Sequence, residues 1–120
     1  MWTYSQSTGQ LTDASGALVG AGYSGRGTGL NSPASQDVHD VGPCPQGLWS
    51  IGDFFDDPGG KGPIVCHLTP QAETNTLGRS GFMIHGDNSD HTASEGCLIF
   101  ARPIRQAIQA SADKLLEIVA

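Results

Sequence analysis

Residues 82–100 read FMIHGDNSDHTASEGCLIF, and this stretch decides the fold. It contains the two most β-prone runs of the chain, residues 82–85 and 97–100, which are rich in branched and aromatic side chains. Polar or small residues fill the interval between the runs. The stretch therefore predicts two short strands joined by a polar loop, either paired as a hairpin or lying side by side.

Further short runs of β-prone residues surround this segment, at a spacing of roughly 8–12 residues and with glycine between them. The predicted strands cover residues 2–5, 10–12, 17–20, 48–52 and 64–70. Two other stretches contain many turn residues. Residues 20–29 hold five glycines, which indicates a loop or a strand whose backbone packs closely against something. Residues 56–63 are predicted to form a surface loop.

The last segment is the one convincing helix in the sequence. Pro103 suits a first helical turn. Apolar residues then follow helical spacing as far as Val119, with polar residues on the other face. We therefore expect one domain over residues 1–120 with a mainly β fold (α+β by strict count). It is predicted to be a small β-sandwich or barrel with one C-terminal helix.

Composition excludes several classes of function. The chain has 120 residues, a formal net charge of −6, and only 6 basic residues against 12 acidic ones. A nucleic-acid binder needs a basic stripe, and an anionic membrane surface also attracts basic residues. No apolar run approaches the length of a membrane span, about 20 residues. The N-terminus lacks the basic and apolar regions of a secretory signal, so we expect synthesis without a signal peptide or its prior removal.

Cys97 and His85 form the strongest candidate for chemistry. His85 ends one apolar run and Cys97 begins the next, so the two side chains are expected at one end of the sheet. A thiol nucleophile needs a base within hydrogen-bond reach. Gly96 would let backbone approach a substrate, and N–H groups of residues 94–97 could receive the oxyanion of a tetrahedral intermediate. Taken separately, Cys97 is typical of a small, buried hydrophobic residue, and His85 is typical of a surface residue whose hydrogen bonds are satisfied.

The sequence Ser94-Glu95-Gly96-Cys97, with His85 upstream, resembles the signature of L,D-transpeptidase (YkuD-type) catalytic domains. It is most similar to the compact relatives delivered as type VI secretion effectors, which act on peptidoglycan. The resemblance extends in the same order through most of the chain. The matching blocks are residues 4–11, 22–25, 31–33, 42–47 and 85–88.

The resemblance implies acyl transfer through a thioester on Cys97, with His85 handling protons. The enzyme would remove or exchange the terminal D-Ala of tetrapeptide stems, as L,D-carboxypeptidase or L,D-transpeptidase. Glu95 stands where the family usually has a second histidine, and Arg102 is the nearest arginine after the cysteine. The resemblance places Ser94, Glu95 and Gly96 in the oxyanion loop. The candidate substrate-binding residues are Tyr23, Ser24, His39, Asp87 and Arg102.

Two rival classes remain open. His85, Asp87, His91 and Cys97 are plausible zinc ligands, although their spacing fits no strong zinc pattern. The second rival class is a non-enzymatic module that binds the cell wall, in which Tyr23 and Trp49 would form an aromatic platform for saccharides. We expect neither a metal nor a cofactor. The three cysteines leave at least one unpaired, and Cys44 and Cys66 are expected either as two packed thiols or as a disulfide.

The resemblance also implies a place of action and partners. A secreted effector would act on the peptidoglycan stem peptide in the periplasm of a target bacterium. Its partners would be a component of the secretion apparatus and a cognate immunity protein. A phage-type lytic enzyme is equally compatible with a short chain that has no signal peptide. Neither nucleic acid nor a membrane span is expected.

Overall fold

The structure is a computed structural model that describes residues 1–120. It contains ten strands, one α-helix, and two 3₁₀ turns at Gly27–Gly29 and Pro33–Ser35. The strands and the helix are, in chain order, β1 Trp2–Ser5, β2 Gln10–Thr12, β3 Leu18–Ala21, β4 Tyr23–Ser24, β5 Gly47–Ile51, β6 Phe55–Asp57, β7 Gly62–Pro70, β8 Met83–His85, β9 Leu98–Ile99, α1 Arg102–Ala110 and β10 Leu115–Val119.

Nine strands follow one another across the sheet in the order β3-β2-β1-β10-β5-β7-β8-β9-β4, and β6 pairs with β7 beside this path. Most neighbours are antiparallel, whereas β1 with β10 and β8 with β9 are parallel. The two apolar runs 82–85 and 97–100 therefore lie side by side rather than as a hairpin. The long polar loop between them is needed because parallel neighbours cannot be joined by a tight turn.

The two ends of the strand order meet at Gly22, which alone separates β3 from β4. Its N–H donates to the Gly9 carbonyl at 2.8 Å. A Cβ at this position would lie 1.9 Å from the Ile99 carbonyl oxygen, so only glycine allows this approach. The sheet is thereby nearly closed and barrel-like, and the predicted mainly β fold is confirmed.

The interior of the barrel holds a cluster of 15 buried hydrophobic residues. Trp49 packs edge-to-face on Phe82 with ring centroids 5.2 Å apart, and Tyr4 packs in the same way on Phe100 at 5.8 Å. Edge-to-face packing of aromatic rings adds stabilisation beyond the burial of their area. Cys44 and Cys66 are free, buried thiols, of which Cys66 lies in β7.

The predicted C-terminal helix is correct only in its first half. The helix covers Arg102–Ala110, is too short to span a membrane, and has Pro103 in its first turn. Leu115–Val119 is not helical but forms strand β10. Leu116 and Ile118 are buried while Leu115 is half exposed, which is the period of two of a strand. An extended β10 can pair with β1 on one side and with β5 on the other.

Local side chains end the helix at Ala110. The Lys114 ammonium donates to the carbonyls of Ile108 and Gln109 at 2.7 and 3.2 Å, which satisfies acceptors that a helix end leaves open. The Asp113 carboxylate accepts the Leu115 N–H and pairs with the N-terminal ammonium. These contacts turn the chain toward β1, and tertiary pairing overrides the helical pattern of the sequence.

The predicted surface loop at residues 56–63 is part of a hairpin between β6 and β7. The carboxylates of Asp56 and Asp57 accept the N–H groups of Ile64 and Lys61 at 3.1 and 2.8 Å. The backbone of the turn is therefore held by aspartate side chains, a role that such residues commonly fill in turns.

Candidate active site

The parallel pairing of β8 and β9 brings His85 and Cys97 to one face of the sheet. The register sets Ile84 opposite Leu98 and His85 opposite Ile99. Cys97 directly precedes β9, two residues before Ile99, and is therefore diagonally opposite His85. His85 and Cys97 are thus diagonal neighbours, and both line the same cleft.

The imidazole of His85 is held in one tautomer. Its Nδ1 lies 2.8 Å from the Gly86 carbonyl oxygen, which can only accept, so Nδ1 carries the proton. Its Nε2 is buried and has no hydrogen-bond partner in the protein. Burial lowers the pKa of His85 below its ordinary 6.5. The ring is therefore neutral near pH 7, with Nε2 as a free base.

The Cys97 thiol is partly exposed, unlike the other two cysteines. Burial of the sulfur raises its pKa, and a backbone hydrogen bond from Met83 and the charge of Lys61 offset this only in part. Its Sγ approaches the Gly81 carbonyl at 3.9 Å. The cleft therefore holds a neutral thiol and a neutral imidazole, and a reaction at the sulfur would require transfer of the thiol proton.

Ser94 shapes the turn that precedes the thiol. Its buried hydroxyl donates to the Cys97 carbonyl at 2.6 Å and accepts the N–H groups of Gly25 and Gly96 at 2.8 and 3.2 Å. These bonds use the capacity of the hydroxyl, so Ser94 acts on the turn and not on a bound molecule. The N–H of Cys97 has no acceptor within the protein, which leaves it available to an oxyanion.

Gly96 and Ser24 tighten the same turn from either side. Gly96 has a φ of +130°, and a Cβ there would lie 2.5 Å from the Arg79 guanidinium and 2.9 Å from the Phe82 ring. The buried Ser24 hydroxyl donates to the Gly96 carbonyl at 3.1 Å and accepts the Cys44 N–H at 2.9 Å. Ser24 therefore positions the turn and does not face the cleft.

Tyr23 and Asp87 organise the loop that walls the cleft. The Tyr23 hydroxyl donates to Asp87 at 2.5 Å and accepts the Ala93 N–H at 3.1 Å, so it ties both ends of residues 87–93 to β4. The second Asp87 oxygen lies 2.6 Å from His91 Nδ1. Asp87 makes no hydrogen bond to His85, whose Nδ1 partner is the Gly86 carbonyl, although the Asp87 charge acts to raise the pKa of His85.

The cleft itself is about 480 Å³ in volume and predominantly polar. His85 and Cys97 lie among residues from the β6–β7 turn, the strand β8 and the loop 86–95. Three carboxylates and one ammonium contribute charge to its lining: Asp40, Asp87, Glu95 and Lys61. This arrangement can bind an extended polar molecule and expose one of its carbonyls to the thiol.

Residues 19–118 match the Tlde1 domain, a family whose name refers to type VI secretion effectors of L,D-transpeptidase type. This match covers most of the chain. The chain belongs to the Tlde1 domain family. Comparisons with curated proteins and with solved structures gave no match. The family implies an effector enzyme that acts on the bacterial cell wall.

Two residues that the sequence offered for substrate binding are not among those that line the cleft of this Tlde1 domain. Arg102 is exposed at the start of α1, and His39 is exposed in a turn. Neither lines the cleft. Glu95 does line it, and its carboxylate pairs with Arg26 at 3.5 Å.

Arg79 holds the turn before Cys97 in the Tlde1 domain, a position that the sequence patterns did not indicate. Its buried guanidinium donates to the carbonyl of Glu95, next to Gly96, and to three other carbonyls that belong to Gln36, Gly42 and Pro43. It also stacks over Phe82, 5.2 Å from the ring centroid. No local pattern marks Arg79, because its partners lie 16 to 43 residues away in the chain.

The four residues considered as zinc ligands, His85, Asp87, His91 and Cys97, do not come together in one cluster in the Tlde1 domain. The structure contains no group of three or more His, Cys, Asp or Glu side chains arranged to hold a metal ion. Trp49 is fully buried in the core and its N–H donates to the Pro45 carbonyl, so it offers no saccharide platform.

Proposed function

We propose that this Tlde1 domain is a peptidoglycan-modifying cysteine enzyme that cleaves or exchanges the terminal D-Ala of tetrapeptide stems. One observation carries the proposal: Cys97 and His85 are diagonal neighbours in one open cleft, and the only unengaged nitrogen of the histidine is Nε2. Membership in the Tlde1 family supports the choice of substrate.

In the first step His85 Nε2 takes the proton of the Cys97 thiol as Sγ attacks the carbonyl carbon at the L-centre of the stem diamino acid. The carbonyl oxygen becomes an oxyanion, which the free N–H of Cys97 can receive. The C–N bond then breaks. His85 returns its proton to the departing amine of D-Ala, and a thioester remains on Cys97.

In the second step a nucleophile resolves the thioester. Water, deprotonated by His85, gives a tripeptide and a free Cys97 thiol, which is the carboxypeptidase outcome. The amine of another D-amino acid gives exchange, and the amine of a second stem gives a cross-link. The openness of the cleft to solvent supports hydrolysis or exchange with small amines as the main reactions.

The reaction is tested by mass spectrometry of muropeptides incubated with the wild type, Cys97→Ala and His85→Gln. We expect loss of the terminal D-Ala with the wild type, none with Cys97→Ala, and a decrease of at least about a hundredfold with His85→Gln. The proposal would be overturned if the wild type cleaved the glycan, or if it left the tetrapeptide stems intact.

Chemical modification separates a cysteine enzyme from a zinc enzyme. Cys44 and Cys66 are buried, so iodoacetamide should add one group, at Cys97, and abolish the activity. EDTA should leave the activity unchanged. Inhibition by EDTA, or full activity after alkylation of Cys97, would favour the zinc alternative.

We also propose that the protein acts as an antibacterial effector in the periplasm of a target cell, with an immunity protein in the producer. Expression in a bacterium with and without a periplasmic export signal tests this. Growth should stop only when the wild type is exported, and exported Cys97→Ala should be harmless. Toxicity of the cytoplasmic form would contradict a cell-wall target.

A further inference from the structure

Lys61 is the one basic residue that lines the cleft, and its ammonium has no partner in the protein. The other five basic residues are engaged or remote. Arg79 and Arg105 are buried against carbonyls, Arg26 pairs with Glu95, Lys114 caps the helix, and Arg102 is exposed outside the cleft. Lys61 is therefore the only cation free to meet a bound molecule at this site.

The charges that line the cleft favour binding of a carboxylate at Lys61 over binding elsewhere on its wall. Asp40, Asp87 and Glu95 also line the cleft, so a carboxylate on a substrate is repelled at most of its wall. Among the side chains that line the cleft, Lys61 is the one ammonium or guanidinium that attracts such a group. A peptide with a free carboxylate therefore has one favoured orientation in the cleft.

Lys61 lines the same cleft as Cys97 and His85. Its positive charge contributes to lowering the pKa of both the Cys97 thiol and the His85 imidazole, so the ammonium lies within electrostatic reach of nucleophile and base. In a peptide that ends one residue after the scissile bond, the terminal carboxylate is three bonds from the carbonyl carbon. A leaving residue held beside Cys97 therefore carries its carboxylate inside the cleft that Lys61 also lines.

Hydrogen bonds from other segments fix the backbone around Lys61. Asp57 accepts the Lys61 N–H at 2.8 Å, and Arg105 donates to the carbonyls of Pro63 and Ile64 at 2.6 and 3.1 Å. Arg105 also donates to the Phe100 carbonyl at 3.1 Å, directly after β9. Ile64 has a φ of +55°, a strained value for a β-branched residue. The β6–β7 turn is therefore tied to the strand that follows Cys97.

We propose that Lys61 is the specificity-determining residue of the cleft and binds the free α-carboxylate of the residue that leaves. The inference rests on the proposed function and deepens it. It restricts the substrate class to peptides that end one residue after the scissile bond, and it excludes internal amides. A neutral C-terminus should be a poor substrate for the same reason.

The test compares a stem tetrapeptide ending in D-Ala with the same peptide amidated at its C-terminus. The wild type should favour the free acid in kcat/KM by about ten- to a hundredfold, the range of a charge-assisted hydrogen bond. Lys61→Met should lose that preference, through a higher KM for the acid and little change for the amide. Lys61→Arg should keep the preference, and Arg102→Met is the matched control outside the cleft.

Two results would overturn the inference: equal cleavage of acid and amide by the wild type, or an equal loss on both substrates in Lys61→Met. The second result would mean that Lys61 acts on Cys97 or on the fold alone. Binding of the two peptides to the inactive Cys97→Ala protein, with and without Lys61→Met, separates this from failure of the proposed reaction. The binding experiment could show a preference for the free acid that depends on Lys61 while the wild type cleaves neither peptide. That result would refute the proposed reaction and support the carboxylate site at Lys61.

Discussion

The carbonyl oxygen of Gly86 lies 2.8 Å from Nδ1 of His85 and thereby decides which nitrogen of the ring can act as a base. Gly86 is the next residue in the chain, so its carbonyl stays close to the His85 ring. No second side chain is needed to fix the tautomer of His85. This arrangement takes the place of a carboxylate partner. It leaves the neighbouring Asp87 to order the loop 87–93.

The pH dependence of activity should follow His85. Since burial lowers its pKa, kcat/KM for D-Ala release should fall on the acid side with a midpoint below 6.5. The unfolded chain takes up this proton near pH 6.5 and the folded protein only at lower pH, so the free energy of unfolding should decrease as the pH falls through this window. Urea unfolding at several pH values measures this change in the free energy of unfolding.

His85→Gln should reduce this pH dependence of stability, and His39→Gln, at an exposed position, should not. An acid midpoint of activity at or above 6.5 would contradict a neutral, buried base.

Gly96→Ala should damage both the fold and the activity. The added Cβ would meet the Arg79 guanidinium and the Phe82 ring, in addition to straining a positive φ. Gly16→Ala is the matched control, because its φ is +84° and no atom lies within 4 Å. We expect about 1–2 kcal/mol of destabilisation in Gly16→Ala. Gly96→Ala should cost roughly 1–3 kcal/mol more, with loss of D-Ala release. Equal losses in urea unfolding would show that the close packing is unimportant.

Two tyrosine-to-phenylalanine substitutions should have opposite effects. Tyr23→Phe removes the hydroxyl that ties Asp87 and Ala93 and should cost about 0.5–1.5 kcal/mol. Hydrogen exchange of residues 87–93 should increase and kcat/KM should fall several-fold. Tyr4→Phe should be neutral or stabilising, because the Tyr4 hydroxyl is buried without a partner. Unchanged exchange in Tyr23→Phe would show that the loop is held by other contacts.

Leu116→Ala and Leu115→Ala distinguish the strand β10 from the helix that the sequence pattern favours. Leu116 is 1% exposed and faces the core, so its truncation should cost about 2–5 kcal/mol. Leu115 is 51% exposed and its truncation should change the free energy of unfolding by less than about 0.5 kcal/mol. Similar losses in both variants would favour a helical arrangement of this segment.

Short-range patterns were sufficient to predict the β-rich class and the strands on either side of the loop 86–96. The same patterns single out His85 and Cys97, because a polar residue at the end of an apolar run is visible in the sequence. The roles of Ser24 and Ser94 are not visible in this way. A serine that faces a substrate and a serine that holds a turn look alike until the partner of the hydroxyl is known.

The sequence by itself determined a small mainly β domain with a nucleophile candidate at Cys97 and a base candidate at His85. Only the tertiary structure decided that residues 115–119 form a strand, that Arg79 holds the turn before Cys97, and that Lys61 is the free cation of the cleft. For the strand and for Arg79 the physical reason is the same. Pairing of β10 with β1, and the hydrogen bonds of buried guanidinium groups, join segments far apart in the chain, and no local pattern encodes such a partner.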